Sequence, residues 1–180
     1  MGFSTLGELL WTPQWASSAP PDAASRQAYP PADWDAYRRY VAETVEHYGG
    51  SIKHWEIWNE PHFSGFWRGT PQQYAELLKV AYTEVKRVAP DSFVLGGGGV
   101  SLRSMDWIAQ MLEAGAGPYM DGFSIHYLEP DCAGEQTDTL RRLLDEHGVK
   151  GPIWNTEECV PSTSFLDQVR SDYLEPEARY

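Results

Sequence analysis

Trp55-Glu56-Ile57-Trp58-Asn59-Glu60-Pro61 climbs through apolar and aromatic residues and stops at Asn-Glu-Pro. A run of this kind reads as a short buried strand that presents an amide and a carboxyl group where the chain leaves the sheet. A second stretch, Pro152-Ile153-Trp154-Asn155-Thr156-Glu157-Glu158, rises and ends the same way. Two strands ending in glutamate, on a fold that gathers strand ends, supply the paired carboxyls that glycosidic-bond cleavage needs.

Outward from these two strands the chain alternates. Phe3 to Trp11 is apolar enough for a strand and runs into Thr12-Pro13-Gln14-Trp15; Ala16 to Pro31, rich in Pro, Ala and Ser, reads as a long loop. Asp33 caps a helix whose apolar face is Tyr37, Tyr40, Val41, Thr44, Val45 and Tyr48, closed by Gly49-Gly50. Ile52 to Asn59 is the next strand. Thr70-Pro71 starts a helix with a cap and an N1 proline, and Tyr74, Leu77, Leu78, Ala81, Val85 and Val88 form its buried stripe. Ser92 to Leu95 is a short strand running into Gly96-Gly97-Gly98-Gly99. Ser104 opens a helix that turns Trp107, Ile108, Met111 and Leu112 inward. Gly122 to Tyr127 is a strand, Thr137 to His147 a helix, Ile153 to Thr156 a strand, and Ser164 to Tyr173 a last helix.

Five strands and five helices in strict alternation demand parallel strands with right-handed crossovers. Short apolar strands suit a sheet covered on both faces. A doubly wound sheet and a (β/α)8 barrel both satisfy this pattern.

The bulk properties narrow the partners. With 180 residues, 42% of them hydrophobic, the chain reads as one globular domain over residues 1–180. A formal net charge of −12 repels nucleic acid and anionic membranes, so neither is expected as a partner. A neutral sugar is compatible with it. No apolar run approaches the roughly 18 residues of a membrane helix, and no signal peptide is visible at the N-terminus. Cys132 and Cys159 fit no zinc or CxxC spacing and are expected as two free thiols.

In either fold, ligands bind at the C-terminal ends of the strands. Those ends carry Trp11 to Trp15, Asn59-Glu60, the four glycines, His126-Tyr127 with Glu129, and Glu157-Glu158. Acetal hydrolysis needs a proton donor on the leaving oxygen and a nucleophile or base opposite. Asn59 is placed to bond a sugar hydroxyl beside the reacting carbon, and His126 and Tyr127 to orient a carboxylate. Trp15 and Trp154 are candidates to stack on sugar faces, whereas Trp34 and Trp107, inside helices, are read as core. Competing signals are weaker. No Gly-Lys-Ser/Thr or GxGxxG accompanies the glycines, so they read as a glycine-lined strand end and not a phosphate loop. His54, His62 and His126 with Glu60 lack the spacing of a metal site, and neither metal nor cofactor is expected. No Gly-x-Ser-x-Gly elbow is present.

These residues resemble clan A of the glycoside hydrolases, the retaining (β/α)8-barrel enzymes, and most strongly family 39 (β-xylosidase-like), more loosely family 5. The resemblance runs from Leu9 to about Pro161. It implies that Asn59-Glu60-Pro61 ends barrel strand four with Glu60 as acid/base, that His126-Tyr127 ends strand six, and that Thr156-Glu157 ends strand seven with Glu157 as nucleophile. Trp11-Thr12-Pro13-Gln14-Trp15 matches the end of strand three. Strand alternation lets only one of Glu157 and Glu158 face the cleft; the position after Thr156 favours Glu157.

The implied fold is a partial (β/α)8 barrel, strands three to seven with their helices. Because a whole barrel takes about 250 residues, the chain is expected to be an incomplete piece without turnover of its own. The implied activity is a glycosidase cleaving β-linked sugars of an oligosaccharide or glycoside by double displacement. The alternative is a non-catalytic fragment that at most binds carbohydrate.

Overall fold

The computed structural model describes residues 4–128 and 133–158. Glu129, Cys132, Cys159 and the helix expected over Ser164 to Tyr173 lie outside them. Five parallel strands form one sheet: β1 (Leu6–Leu9), β2 (His54–Ile57), β3 (Phe93–Val100), β4 (Gly122–His126) and β5 (Ile153–Glu157). Their spatial order is their chain order. A doubly wound sheet reverses its order at a switch point; this one never does. With helices α1 (Trp34–Tyr48), α2 (Pro71–Val88), α3 (Met105–Glu113) and α4 (Ala133–Glu146) on the crossovers, it is an arc of a (β/α)8 barrel.

Alternation along the strands separates two faces. Trp55 and Ile57 on β2, paired in register with Gly7 and Leu9, join the core beneath the helices. Gly7 leaves room for the indole, since a Cβ there would sit 2.8 Å from the Trp55 ring. Glu8 and Glu56, also register partners, belong to the other, concave face. There Trp154 stacks on Phe93, with centroids 5.6 Å apart, and lies 5.4 Å from His54.

The helices begin and end where local chemistry directs. The Asp33 side chain accepts from the Asp35 and Ala36 amides, and Thr70 with Gln73 forms a reciprocal capping box before Pro71. The sequence pattern fails in four places. α1 buries only Tyr37, Val41 and Val45, a single row at spacing four; Tyr40 and Tyr48 lie one row off and are exposed. α4 begins at Ala133, before the expected Thr137, because its leucines mark only the later turns. The glycines do not follow β3 but are inside it, where the register with β4 shifts between Gly96 and Val100. α2 also buries Glu84, which the apolar stripe omits; Arg38 of α1 and Arg87 approach it at 3.4 and 2.7 Å. Among the described residues no helix is long and apolar enough to cross a membrane.

Core burial separates two substitutions of large side chains. Leu77 is fully buried, so Leu77→Ala is expected to cost about 2–5 kcal/mol in chemical unfolding. Tyr48 is exposed, so Tyr48→Ala is expected to stay within roughly 0.5 kcal/mol. Equal losses would refute the assignment of faces.

Candidate active site

The chain leaves β2 through a strained turn. Trp58 and Glu60 both adopt left-handed backbone, with φ of 67° and 42°, which costs a non-glycine residue of order 1–3 kcal/mol. The turn is held from three sides. The Trp58 amide donates to the Leu9 carbonyl and the Glu60 amide to the Gly98 carbonyl at 2.6 Å, while the Trp58 indole N–H reaches the Phe66 carbonyl at 3.0 Å. Trp11, itself at φ 66°, stacks on Phe66 and meets Trp58 edge-on. An aromatic platform thus supports the segment that carries Glu60.

β3 contributes absence of side chain. Gly97, Gly98 and Gly99 all have positive φ, a region glycine enters without steric cost. Ser124 pins this bulge: its Oγ accepts from the Gly99 amide at 2.9 Å and donates to the Gly96 carbonyl at 3.1 Å. A Cβ on Gly99 would lie 2.0 Å from His126 Nε2. The bare backbone is therefore the seat of the His126 ring.

His126 is buried, and its Nδ1 stands 3.3 Å from Glu60 Oε1 and 3.7 Å from Glu157 Oε2. A register shift between Ile125 and His126 sets His126 opposite Glu157. Tyr127, at φ 54°, donates its hydroxyl to the other Glu157 oxygen. Glu158 turns elsewhere, accepting from the Leu128 amide at 3.1 Å and the Asn155 side-chain amide at 2.7 Å. The structure therefore gathers Glu60, His126, Tyr127 and Glu157, and leaves Glu158 tied to backbone and its own strand.

The other expected residues are placed differently. Asn59 adjoins Glu60, is half-buried, and its side-chain amide has no hydrogen-bond partner among the described residues. Trp15, 84% exposed, borders an apolar recess with Trp11, Pro31, Tyr37 and Tyr40 beyond β1. Trp154 is in the concave floor against Phe93 and His54, upstream of Glu157.

Two further groups escaped the sequence reading, and a third, His62, entered it only as a metal ligand of the wrong spacing. Glu56 is buried and accepts from the Thr156 hydroxyl. Glu8 is exposed, yet its carboxyl is pushed up to about 7, first by partial loss of solvent and then by the charges of Glu56 and Glu157. His62 is pushed down by loss of solvent, with Glu60 opposing and His126 adding to the shift, and its Nδ1 is buried without a partner. The strand alternation around Glu60 held a signal for Glu56; His62 was weighed only against a metal site, and nothing in the pattern marked its buried nitrogen. Among the described residues no three His, Cys, Asp or Glu side chains are gathered as a metal site.

No protein-family profile matches the chain. It is similar to a β-xylosidase from Geobacillus stearothermophilus, 29% identical over 145 residues that span 64% of this chain and 29% of that protein. It is likewise 29% identical over 154 residues to a β-xylosidase from Caldicellulosiruptor saccharolyticus, spanning 71% of this chain and 31% of that one. The chain thus spans under a third of the length of these curated relatives. Its fold matches that of a family 39 β-xylosidase from Caulobacter crescentus with a TM-score of 0.67 at 19% identity, covering 91% of this chain and 42% of that one. The resemblance to family 39 read from the strand-end motifs agrees with these matches.

The Glu8 carboxyl gives a pH test of the site's electrostatics. Its pKa is higher in the folded than in the unfolded chain (about 7 against 4.5), so the ionised form is disfavoured by folding. Glu8→Gln is expected to match the wild type in urea midpoint below pH 4.5. A stability advantage for the variant is expected to open as pH rises to about 7 and to stay constant above it. A gap independent of pH would contradict this.

Proposed function

We propose that this chain carries the catalytic pair of a retaining glycoside hydrolase acting on β-linked sugars, with Glu60 as acid/base and Glu157 as nucleophile. The carrying observation is the single His126 nitrogen within reach of both carboxyls. The separation of the two facing oxygens is thereby at most the sum of 3.3 and 3.7 Å, at the low end of the roughly 6.5–9.5 Å that inverting pairs span. Retaining pairs stand about 5–5.5 Å apart, leaving no room for a water between nucleophile and sugar. The relatives' name makes a β-xyloside the first substrate to assay.

The steps follow from position. Glu157 Oε2 attacks the anomeric carbon while Glu60 gives its proton to the departing glycosidic oxygen, forming a glycosyl ester on Glu157. Glu60, now ionised, takes a proton from water as that water displaces the ester, and the sugar leaves with its original configuration. Tyr127 holds the Glu157 oxygen that does not attack, and His126 stands within reach of both carboxyls. The unpartnered Asn59 amide is offered to the hydroxyl beside the anomeric carbon. Trp15, with its exposed ring, is suited to stack on a sugar farther out, and Trp154 forms the floor. Glu158, already bonded to Leu128 and Asn155, is not available to attack.

Kinetics on an activated aryl β-xyloside, using the full chain with any sequence that flanks it in the native protein, separates the two roles. Glu157→Ala is expected to abolish turnover, and azide to produce the inverted glycosyl azide. Glu60→Ala is expected to keep a rapid first step, since the aryl group needs little protonation, followed by slow turnover that azide restores with retained configuration. Near-normal activity in Glu157→Ala with none in Glu158→Ala would exchange the nucleophile. Activity surviving in both would strip the nucleophile role from either glutamate, and a wild type without turnover would end the glycosidase reading in favour of a carbohydrate-binding role.

A further inference from the structure

The concave face contains a hydrogen bond between strands that are not neighbours. β3 and β4 lie between β2 and β5 in the sheet, yet the Thr156 hydroxyl donates to Glu56 Oε1 at 2.9 Å. This contact runs as a chord across the inside of the curve and limits how far β2 and β5 can splay. Each end lies just upstream of a site carboxyl: Glu60 follows Glu56 by four residues, and Glu157 follows Thr156 directly.

Glu56 is an expensive residue for simple filling. It is 5% exposed, and Phe93 and Trp154 share its face. A carboxyl group withdrawn from water costs free energy that an aliphatic side chain of like volume avoids. The nearby acids add repulsion: Glu8 is its register partner, and both Glu56 and Glu157 act on the Glu8 carboxyl. His54 precedes it by one pleat on the same face, engaged with Trp154. What Glu56 does have is the Thr156 hydroxyl, on the strand of the proposed nucleophile.

We infer that Glu56 is a positioning residue which, through the Thr156 hydroxyl, sets the spacing between Glu60 and Glu157. This deepens the glycosidase reading and rests on it. A spacing error near 1 Å lowers reaction rates by about a hundredfold when the reacting atoms must align, so one well-placed chord has a large lever on catalysis and little on substrate affinity.

The probe is 2-deoxy-2-fluoro-β-xylosyl fluoride, applied to the full chain with its native flanking sequence. Glu157 displaces fluoride, which leaves with the C–F electron pair, and the glycosyl ester that forms persists because the 2-fluorine slows its hydrolysis. Intact mass gives the labelling rate and peptide mapping the site. T156V, which removes the donor at constant volume, and E56L are expected to label Glu157 about tenfold or more slowly, with the probe concentration for half-maximal rate unchanged. T156S, which restores the hydroxyl, and E56Q, which keeps an acceptor oxygen, are expected within about threefold of wild type. The T156V/E56L double variant is expected to be no slower than either single one.

Labelling of T156V at the wild-type rate overturns the inference, as does T156S as slow as T156V. An unlabelled wild type sinks the glycosidase reading instead. The chord is then judged by the Glu157 carboxyl carbon signal, which moves in T156V and returns in T156S if the chord holds, and stays fixed in both if it does not.

Discussion

One imidazole nitrogen within reach of two carboxyls is the constraint around which this structure is arranged. His126 Nδ1 meets Glu60 from β2 and Glu157 from β5, and the ring is buried. A buried ring cannot reach two strand ends unless the backbone between them gives way. The strand between them, β3, gives way by having no side chain at Gly99. Ser124 holds that bare segment in place, and the same segment receives the Glu60 amide through the Gly98 carbonyl. Four consecutive strands are thereby tied to one point.

The curvature of the sheet follows from the same economy of contacts. Parallel neighbours account for adjacent strands, but neighbour pairing alone leaves the arc free to open or close. The contacts across the concave face, Trp154 with Phe93 and His54, and Thr156 with Glu56, fill the space that an open arc would give to water. On the convex face the helices pack in chain order, with Glu84 between Arg38 and Arg87 joining α1 to α2. The geometry of the candidate site and that of the fold are fixed by overlapping sets of residues.

Much of this was legible in the sequence. The strand-end carboxyls, the Thr70-Pro71 helix start and the Asp33 cap are local signals, and local chemistry realised them as read. Features that depend on distant partners were not legible. Whether Gly96 to Gly99 end β3 or bulge within it depends on Ser124 and His126, more than twenty residues later. Tyr40 and Tyr48 fit a helical stripe as well as Tyr37 does, and only the position of α2 decides which row is covered. Glu56 looked like one acid in an apolar run. Its meaning depends on Thr156, a hundred residues away. Trp15 and Trp154 were equal as aromatic candidates, yet one is exposed on a short 3-10 turn and the other is stacked in the floor.

The left-handed residues at the strand exits have an evolutionary corollary. Trp11, Trp58, Glu60 and Tyr127 each occupy backbone that glycine or asparagine would adopt more easily. At Trp58, buried in the core, packing offsets the strain, but at Glu60 and Tyr127 substitution has a route to a tougher protein that selection for stability alone would take. A lineage that keeps bulky side chains there is under a different pressure, one that values where those side chains point. Drift at Glu60 and Tyr127 in a descendant chain would therefore mark the loss of the candidate site before the fold itself showed any decay.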